Sequence, residues 1–419
     1  MLTSYTIEGF ENIQYQGFKA LRQIENKLND LFKSYGYHQI ATPTFEAYDL
    51  YANEDAIPSD DLFKLVNHQG KVLALKPDAT LPVARMAAIN HHNPEEIIKF
   101  SYLTNIYRNF SSPDTVKKEI TQMGVEYFGN ERPECDGEII ALAIESLIAN
   151  GVTDIQIDLG HVGFINYLLD ELSMTQEERS TLFRLIDNKN IGDIRDFLQE
   201  HRIDPAIGKI IVELPMLYGH PTEVFAKMEK LCVNARMEAV VTSLKAIYHH
   251  LDIVGLAGYI TFDLGFTSQM NYYSDIIFKA YVGNWGEPVI DGGRYDTMSE
   301  KFGISRPACG FGIDVLSLMD YLEQHSLLVT EPSSHRVILY YPMDKCQTYR
   351  LASRLRLKGE IAETFKIEDS PEDVVRSLCA QQLYRKADYY LVRDGGFFQW
   401  EDGRFAPADA ICGLKGDCQ

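Results

Sequence analysis

The sequence has no long apolar run. Nowhere in its 419 residues does it hold the roughly 18–20 consecutive apolar residues that a bilayer-spanning helix needs. The opening residues, Met1-Leu2-Thr3-Ser4-Tyr5-Thr6-Ile7-Glu8, have neither a basic nor an apolar leader region, so no secretory signal and no membrane partner is expected. Cysteine supplies no framework. The seven cysteines, at 135, 232, 309, 346, 379, 412 and 418, are odd in number and never spaced Cys-x-x-Cys. That pattern points to reduced thiols rather than to disulfides or a zinc site, and to a cytoplasmic location. The histidines include two adjacent pairs, His91-His92 and His249-His250. Sequence neighbours point to different helix faces, and no His-Glu-x-x-His spacing occurs, so no metal and no cofactor is expected.

Positive charge is scarce as well. Forty Lys and Arg stand against sixty Asp and Glu, for a net charge of −20. A field of that sign repels phosphate backbones and argues against a nucleic-acid partner, although a local basic patch can survive on an acidic protein. The plainer role of the acidity is solubility. What is present is a globular balance, 45% hydrophobic and 24% charged, with length for two or three domains and a sizeable core.

Along the chain, Tyr15–Tyr35 has helical spacing of Phe18, Leu21, Ile24, Leu28, Leu31 and Phe32, with Gly36 as a stop. Short strands are expected at Tyr37–Ala41 and Val72–Leu75, and a helix at Leu81–Ile89. Phe100–Tyr107 and Ile120–Phe128 read as a long antiparallel hairpin around a polar loop. A helix over Asp136–Ile148 and a strand over Asp154–Asp158 follow. Thr175–Leu251 is dense in helix formers and charge, and is taken as a helical insertion within about 175–255. Strands return at Tyr259–Leu264, Asp275–Val282 and Pro288–Ile290. Asp291-Gly292-Gly293-Arg294-Tyr295-Asp296 reads as a glycine turn, and Gly310–Leu322 as a run into a helix. Glu331-Pro332-Ser333-Ser334-His335 reads as a linker. Beyond it, strands at Val337–Tyr341, Ile361–Lys366 and Tyr389–Val392 alternate with helices at Gln347–Lys358 and Glu372–Lys386. Residues 1–330 and 335–419 are therefore expected to form a large domain and a small C-terminal α/β domain.

Several motifs recur in one order. Thr42-Pro43-Thr44-Phe45-Glu46 follows the first helix. Leu75-Lys76-Pro77-Asp78-Ala79-Thr80-Leu81-Pro82-Val83-Ala84-Arg85 comes next, then Ile106-Tyr107-Arg108 and Glu119-Ile120-Thr121-Gln122-Met123-Gly124-Val125-Glu126. Asn271-Tyr272-Tyr273-Ser274-Asp275 and Gly292–Asp296 precede Ala308-Cys309-Gly310-Phe311-Gly312. Each has an ordinary explanation when taken alone. Asp78 can cap the helix that starts beside it, and Arg108 can pair with any carboxylate. Gln122 and Glu126, four apart on a strand, share a face that is either solvated or pocket-lining. Tyr272 and Tyr273 fit the core and edge of a sheet.

Taken jointly, these motifs resemble the class II aminoacyl-tRNA synthetases, and within them the histidyl-tRNA synthetase family. They are most similar to its non-catalytic relatives, the regulatory subunits of ATP phosphoribosyltransferase, which share the Leu-x-Pro-Asp-x-Thr form at 75–80. The resemblance implies an α+β fold in which helices flank an antiparallel sheet, with the segment at Thr42–Glu46 at a dimer interface. It also implies a histidine pocket made by Asp78, Thr80, Arg108, Gln122, Glu126, Tyr272 and Tyr273. Asp78, Thr80, Gln122 and Glu126 offer acceptors for an ammonium, Arg108 suits a carboxylate, and Glu126 or the phenols suit an imidazole.

The departures fall on the nucleotide side. Where the synthetase carries two arginines, the matching positions are Ser268 and Ser317, and the glutamate that reads adenine is matched by Phe110. Asp314 sets an anion near the expected triphosphate. Serine replaces neither the charge nor the fork of a guanidinium, and charge building on an α-phosphate needs cations. The resemblance thus implies a non-catalytic subunit, required by the short-form catalytic chain of ATP phosphoribosyltransferase in the first step of histidine biosynthesis. It implies feedback by histidine, and homodimers within a hetero-octamer. A histidine–tRNA ligase, or a synthetase-derived binding protein with another partner, are the alternatives. The C-terminal part shows no basic stripe for RNA and is expected to be a structural cap or a subunit contact.

Overall fold

The computed structural model describes residues 7–52, 59–109, 117–265, 273–328, 335–381 and 383–408. The chain divides into two compact units, Met1–Leu328 and Val329–Gln419.

The first unit opens with α1 (Tyr15–Ser34), which buries Leu21, Ile24, Leu28 and Phe32 and leaves Phe18 exposed. After β1 (His38–Ile40), the strands β2 (Phe45–Ala47), β3 (Lys64–Val66) and β4 (Val72–Leu75) form a small sheet, with the short α2 (Asp49–Ala52) between the first two. Helix α3 (Thr80–Asn90) leads to the hairpin β5 (Ile98–Tyr107) and β6 (Glu119–Phe128), then to α4 (Pro133–Ala149), β7 (Ile155–His161) and α5 (Val162–Leu169). The expected insertion is helical: α6 (Gln176–Asp187), α7 (Ile191–Glu200), α8 (Pro205–Glu213), α9 (Pro221–Leu231) and α10 (Ala235–Ile253), interrupted only by β8 (Tyr218–Gly219) among described residues. Four strands and a helix complete the unit: β9 (Ile260–Asp263), β10 (Ile276–Val282), β11 (Ile290–Arg294), β12 (Ala308–Asp314) and α11 (Val315–Gln324).

Nine strands make one sheet, ordered β1-β5-β6-β12-β11-β10-β7-β9-β8. Its centre is antiparallel, while β1–β5 and β7–β9 are parallel pairs. Side chains alternate between its faces. On the back face Met123, Val125, Phe311, Ile313, Phe278 and Ile157 join the core with α1 and α4. On the front face the register brings Phe100, Glu126, Gly310 and Gly293 into one row, and Tyr102, Gly124, Gly312, Asp291 and Lys279 into the next. A face this polar cannot be core throughout. Near β5 it is closed by α3 and the small sheet, through Ala74, Leu81, Ala84 and Ile106.

The glycine turn read over Asp291–Asp296 is corrected. Gly292 and Gly293 lie inside β11, and neither has a positive φ. They are glycines because neighbours fill the space of a side chain: the Gly310 carbonyl lies 2.7 Å from where a Cβ on Gly292 would sit, and the Tyr273 ring lies 2.7 Å from that of Gly293. Likewise, the run read from Gly310 into a helix is strand as far as Asp314.

The second unit has a five-stranded sheet, built from β13 (His335–Tyr340), β14 (Ile361–Lys366), β15 (Asp388–Arg393), β16 (Gly396–Glu401) and β17 (Arg404–Pro407), ordered β14-β13-β15-β16-β17. Helix α12 (Lys345–Leu357) packs on Ile338 and Tyr340, and α13 (Pro371–Cys379) on Val337 and Leu339, so the helices cover opposite faces. The helix expected to reach Lys386 stops at Cys379, because its apolar stripe ends at Leu378 and Leu383 is exposed. The terminal hairpins were not anticipated. Asp394-Gly395 and Asp402-Gly403 each join paired strands as two-residue loops with positive φ throughout. Asp-Gly is a strong short-range hairpin signal. Of the linker only His335 is described, and it already begins β13.

Candidate functional site

The loop after β4 carries Lys76-Pro77-Asp78 across the front face of the sheet. Asp78 is buried, and its Oδ1 accepts the Thr80 amide at 2.7 Å, a turn just ahead of α3, whose N-cap residue is Ala79. Its charge also reaches Tyr51, Tyr102 and Glu126. The Thr80 hydroxyl is hydrogen-bonded between Glu126 and Tyr102.

Glu126 is the centre of the site. It sits in the buried half of β6 and is 1% exposed. The Tyr295 hydroxyl donates to its Oε2, while Oε1 has no hydrogen-bond partner among the described residues. Burial pushes its pKa up to about 8; the hydrogen bonds from Tyr295 and Thr80 pull it down, and the Asp78 charge pushes it further up. Burial therefore favours the neutral acid form of Glu126.

The other predicted residues fall around it. Gln122 lies two rows along the same face, half-buried, beside the space left open by Gly312. Tyr273 lies against Gly293 and near Tyr102. Arg108 is set further out: its Nε donates to the Pro77 carbonyl at 2.9 Å, and its charge reaches Asp291. Tyr272 lies outside the described residues, as do Ser268 and Phe110.

Three tyrosines escaped the sequence reading. Tyr102 is held on the front face by the β5–β6 register, and Tyr51 and Tyr295 pack around the same carboxylates. Burial raises the Tyr102 and Tyr51 hydroxyls, so both stay protonated donors. Tyr295 was within a quoted motif; its role showed only once the supposed turn became a strand facing Glu126.

At the start of α11 the geometry is unlike an open phosphate site. Asp314 Oδ1 accepts the amides of Leu316 and Ser317, both at 3.0 Å, and Oδ2 accepts the Ser317 hydroxyl at 2.7 Å. Ser317 is 7% exposed. A helix N-terminus binds anions through free amides, and here the chain's own carboxylate takes them. Asp314 was expected only as a repelling charge; its first structural task is this cap.

A profile described as histidyl-tRNA synthetase matches residues 9–318. The chain is 37% identical over 339 residues to the ATP phosphoribosyltransferase regulatory subunit of Oceanobacillus iheyensis, covering 80% of this chain and 81% of that one. It is 33% identical over 360 residues to that of Acetivibrio thermocellus, covering 86% of each. The chain belongs to the ATP phosphoribosyltransferase regulatory subunit family. A solved regulatory subunit/histidyl-tRNA synthetase from Bacillus halodurans superposes with a TM-score of 0.82 at 25% identity, over 94% of this chain and all of that one. The histidyl-tRNA synthetase of Nostoc shares the fold, with a TM-score of 0.77 at 17% identity and 98% of each chain covered. For this regulatory-subunit family member the class II synthetase-like α+β fold is thus established, and its role is regulatory rather than catalytic.

Proposed function

We propose that this chain activates a short-form ATP phosphoribosyltransferase catalytic subunit and closes it down when histidine fills the pocket around Glu126. The observation that carries the reading is an asymmetry of the front face. Its amino-acid side holds the buried carboxyls of Asp78 and Glu126 beside the half-buried Thr80 and Tyr273. Its nucleotide side has a helix N-terminus already occupied by Asp314 and Ser317. A ligand with an ammonium and an imidazole suits the first side, and at the second the described residues turn the Leu316 and Ser317 amides to Asp314 rather than to a triphosphate.

In this reading Asp78, Thr80 and Gln122 take the α-ammonium, Arg108 the carboxylate, and Glu126 with Tyr273 and Tyr272 the ring. Feedback then requires histidine to bind two states of the complex with different affinity. Homodimers within a hetero-octamer, a cytoplasmic location, and no nucleic acid belong to the same proposal, as do domains at 1–330 and 335–419. The test is phosphoribosyl-ATP formation by a short catalytic chain, with and without this protein, across a histidine titration. Activity only with this protein, falling as histidine rises, supports the reading. No effect overturns it, and tRNA charging is then the reaction to measure. Glu126→Ala and Gln122→Ala should each abolish the inhibition; unchanged inhibition in both refutes the pocket.

A further inference from the structure

Arg294 ends β11 on the face away from the pocket, between Gly293 and Tyr295, and is 2% exposed. It cannot touch a ligand there. Its Nε lies 3.0 and 3.2 Å from the two carboxylate oxygens of Asp136 on α4, and its Nη1 donates to the Asn130 carbonyl at 3.0 Å and to Asp296 at 3.1 Å. The network then turns back toward the pocket. The Ser274 amide donates to the Arg294 carbonyl at 2.8 Å, and the Asp296 amide donates to the Ser274 hydroxyl at 3.0 Å. Asp296 also accepts the Ala308 amide at 2.9 Å, two residues before Gly310. The guanidinium thus holds Asp296 beside Tyr295, and the Arg294 carbonyl and the Asp296 amide hold Ser274, the residue next to Tyr273.

We propose that Arg294 is a positioning residue: its clamp on Asp136 and Asp296 holds the Tyr295 hydroxyl on Glu126 and fixes the segment carrying Tyr273, so that loosening the clamp weakens ligand binding from behind the sheet. The consequence for histidine rests on the pocket reading above; the consequence for Glu126 does not. A purely structural ion pair would affect unfolding and leave the Glu126 environment alone. The groups that face Glu126 are Tyr295 from the end of β11, Tyr102 from β5, Thr80 from α3 and Asp78 from the loop before it.

The experiment is a carbon NMR titration of the Glu126 carboxyl in ligand-free full-length protein, assigned with Glu126→Gln, in wild type, Asp136→Asn and Tyr295→Phe. The Tyr295 hydrogen bond pulls the Glu126 midpoint down, so Tyr295→Phe raises it. Asp136→Asn should raise it too, and the double variant should add nothing to Tyr295→Phe. Removing a negative charge by itself moves a carboxyl midpoint down, so a rise reports a loosened phenol. An unchanged or lowered midpoint in Asp136→Asn, with a lower melting temperature, overturns the proposal. Should Asp136→Asn not fold, Ser274→Ala cuts one tie without touching charge and carries the same two outcomes. In calorimetry, Asp136→Asn should bind histidine roughly tenfold more weakly, and wild-type affinity in that variant counts against the clamp. If wild type itself gives no histidine heat, the pocket reading fails, while the titration still decides the clamp.

Discussion

A side chain at Gly310 would occupy the space that the Glu126 carboxylate fills. The two residues face each other across β12 and β6, and a Cβ on the glycine would overlap Oε2 and press on the Val125 carbonyl. One strand gives up a side chain so that its neighbour can bury a functional one.

Gly310→Ala should therefore destabilise the protein by about 1–3 kcal/mol and displace Glu126, because a backbone carbonyl cannot swing away. At Gly312→Ala the three nearest atoms are all in the Gln122 side chain, which can rotate aside. Its stability loss should be smaller, and its effect should fall on ligand affinity. Urea unfolding and calorimetry of both variants check the order, and equal losses would contradict the geometry.

Glu126 should leave a pH signature on stability. The unfolded chain ionises it near 4.5 and the folded protein near 8. Between those values the folded state holds a proton that the unfolded state has lost. The stabilising effect is full below about pH 4.5 and disappears as pH rises through 8, a difference of order a few kcal/mol. Glu126→Gln removes the effect, so the wild-type urea midpoint should fall relative to this variant between pH 5 and 8. Asp136, raised to about 6 by burial, contributes equally to both proteins. Parallel curves would show that Glu126 is not buried as a neutral acid.

Beneath α3, Arg85 grips Glu46 with two hydrogen bonds of 2.6 and 2.8 Å, and Glu46 is 4% exposed. Arg85→Ala leaves that carboxylate buried and should cost about 3–5 kcal/mol. Replacing the pair with Arg85→Met and Glu46→Leu should recover most of the loss, as denaturant titration of the single and double variants would reveal.

At the start of α11, Asp314→Ala removes an acceptor of two amides and a hydroxyl, and should lower stability by about 1 kcal/mol. Ser317→Arg forces a cation into a buried cap; it should destabilise the protein without producing histidyl-adenylate or charged tRNA. Pyrophosphate exchange measures this directly, and exchange above background would mean that the nucleotide side was lost for want of one cation.

Much of the fold was legible because periodicity survives burial. The stripe of α1 and the β5–β6 hairpin follow from spacing alone, and the motif order disclosed the family. What was misread lay where one residue type has two uses. Gly292 and Gly293 suggested a turn because glycine favours turns; they are in a strand because Tyr273 and the Gly310 carbonyl come too close for a side chain. Sequence cannot tell these uses apart until the neighbouring strand is known. Asp394-Gly395 and Asp402-Gly403 were different, since their hairpin chemistry was visible. Around the candidate site, Asp78 and Glu126 were singled out through motifs. Tyr51 and Tyr102 needed the register, which only long-range pairing supplies.

The order of strands also sets a schedule during synthesis. β6 ends at Phe128, and its partner β12 begins at Ala308. At about 5–20 residues per second, a ribosome takes roughly ten to forty seconds to make the intervening stretch. Throughout that interval the nascent chain carries an open strand edge beside Glu126, the kind of edge that pairs with the wrong neighbour. Production of this protein in cells is therefore expected to depend on chaperones and temperature, since the pocket is among the last parts of the large unit to close.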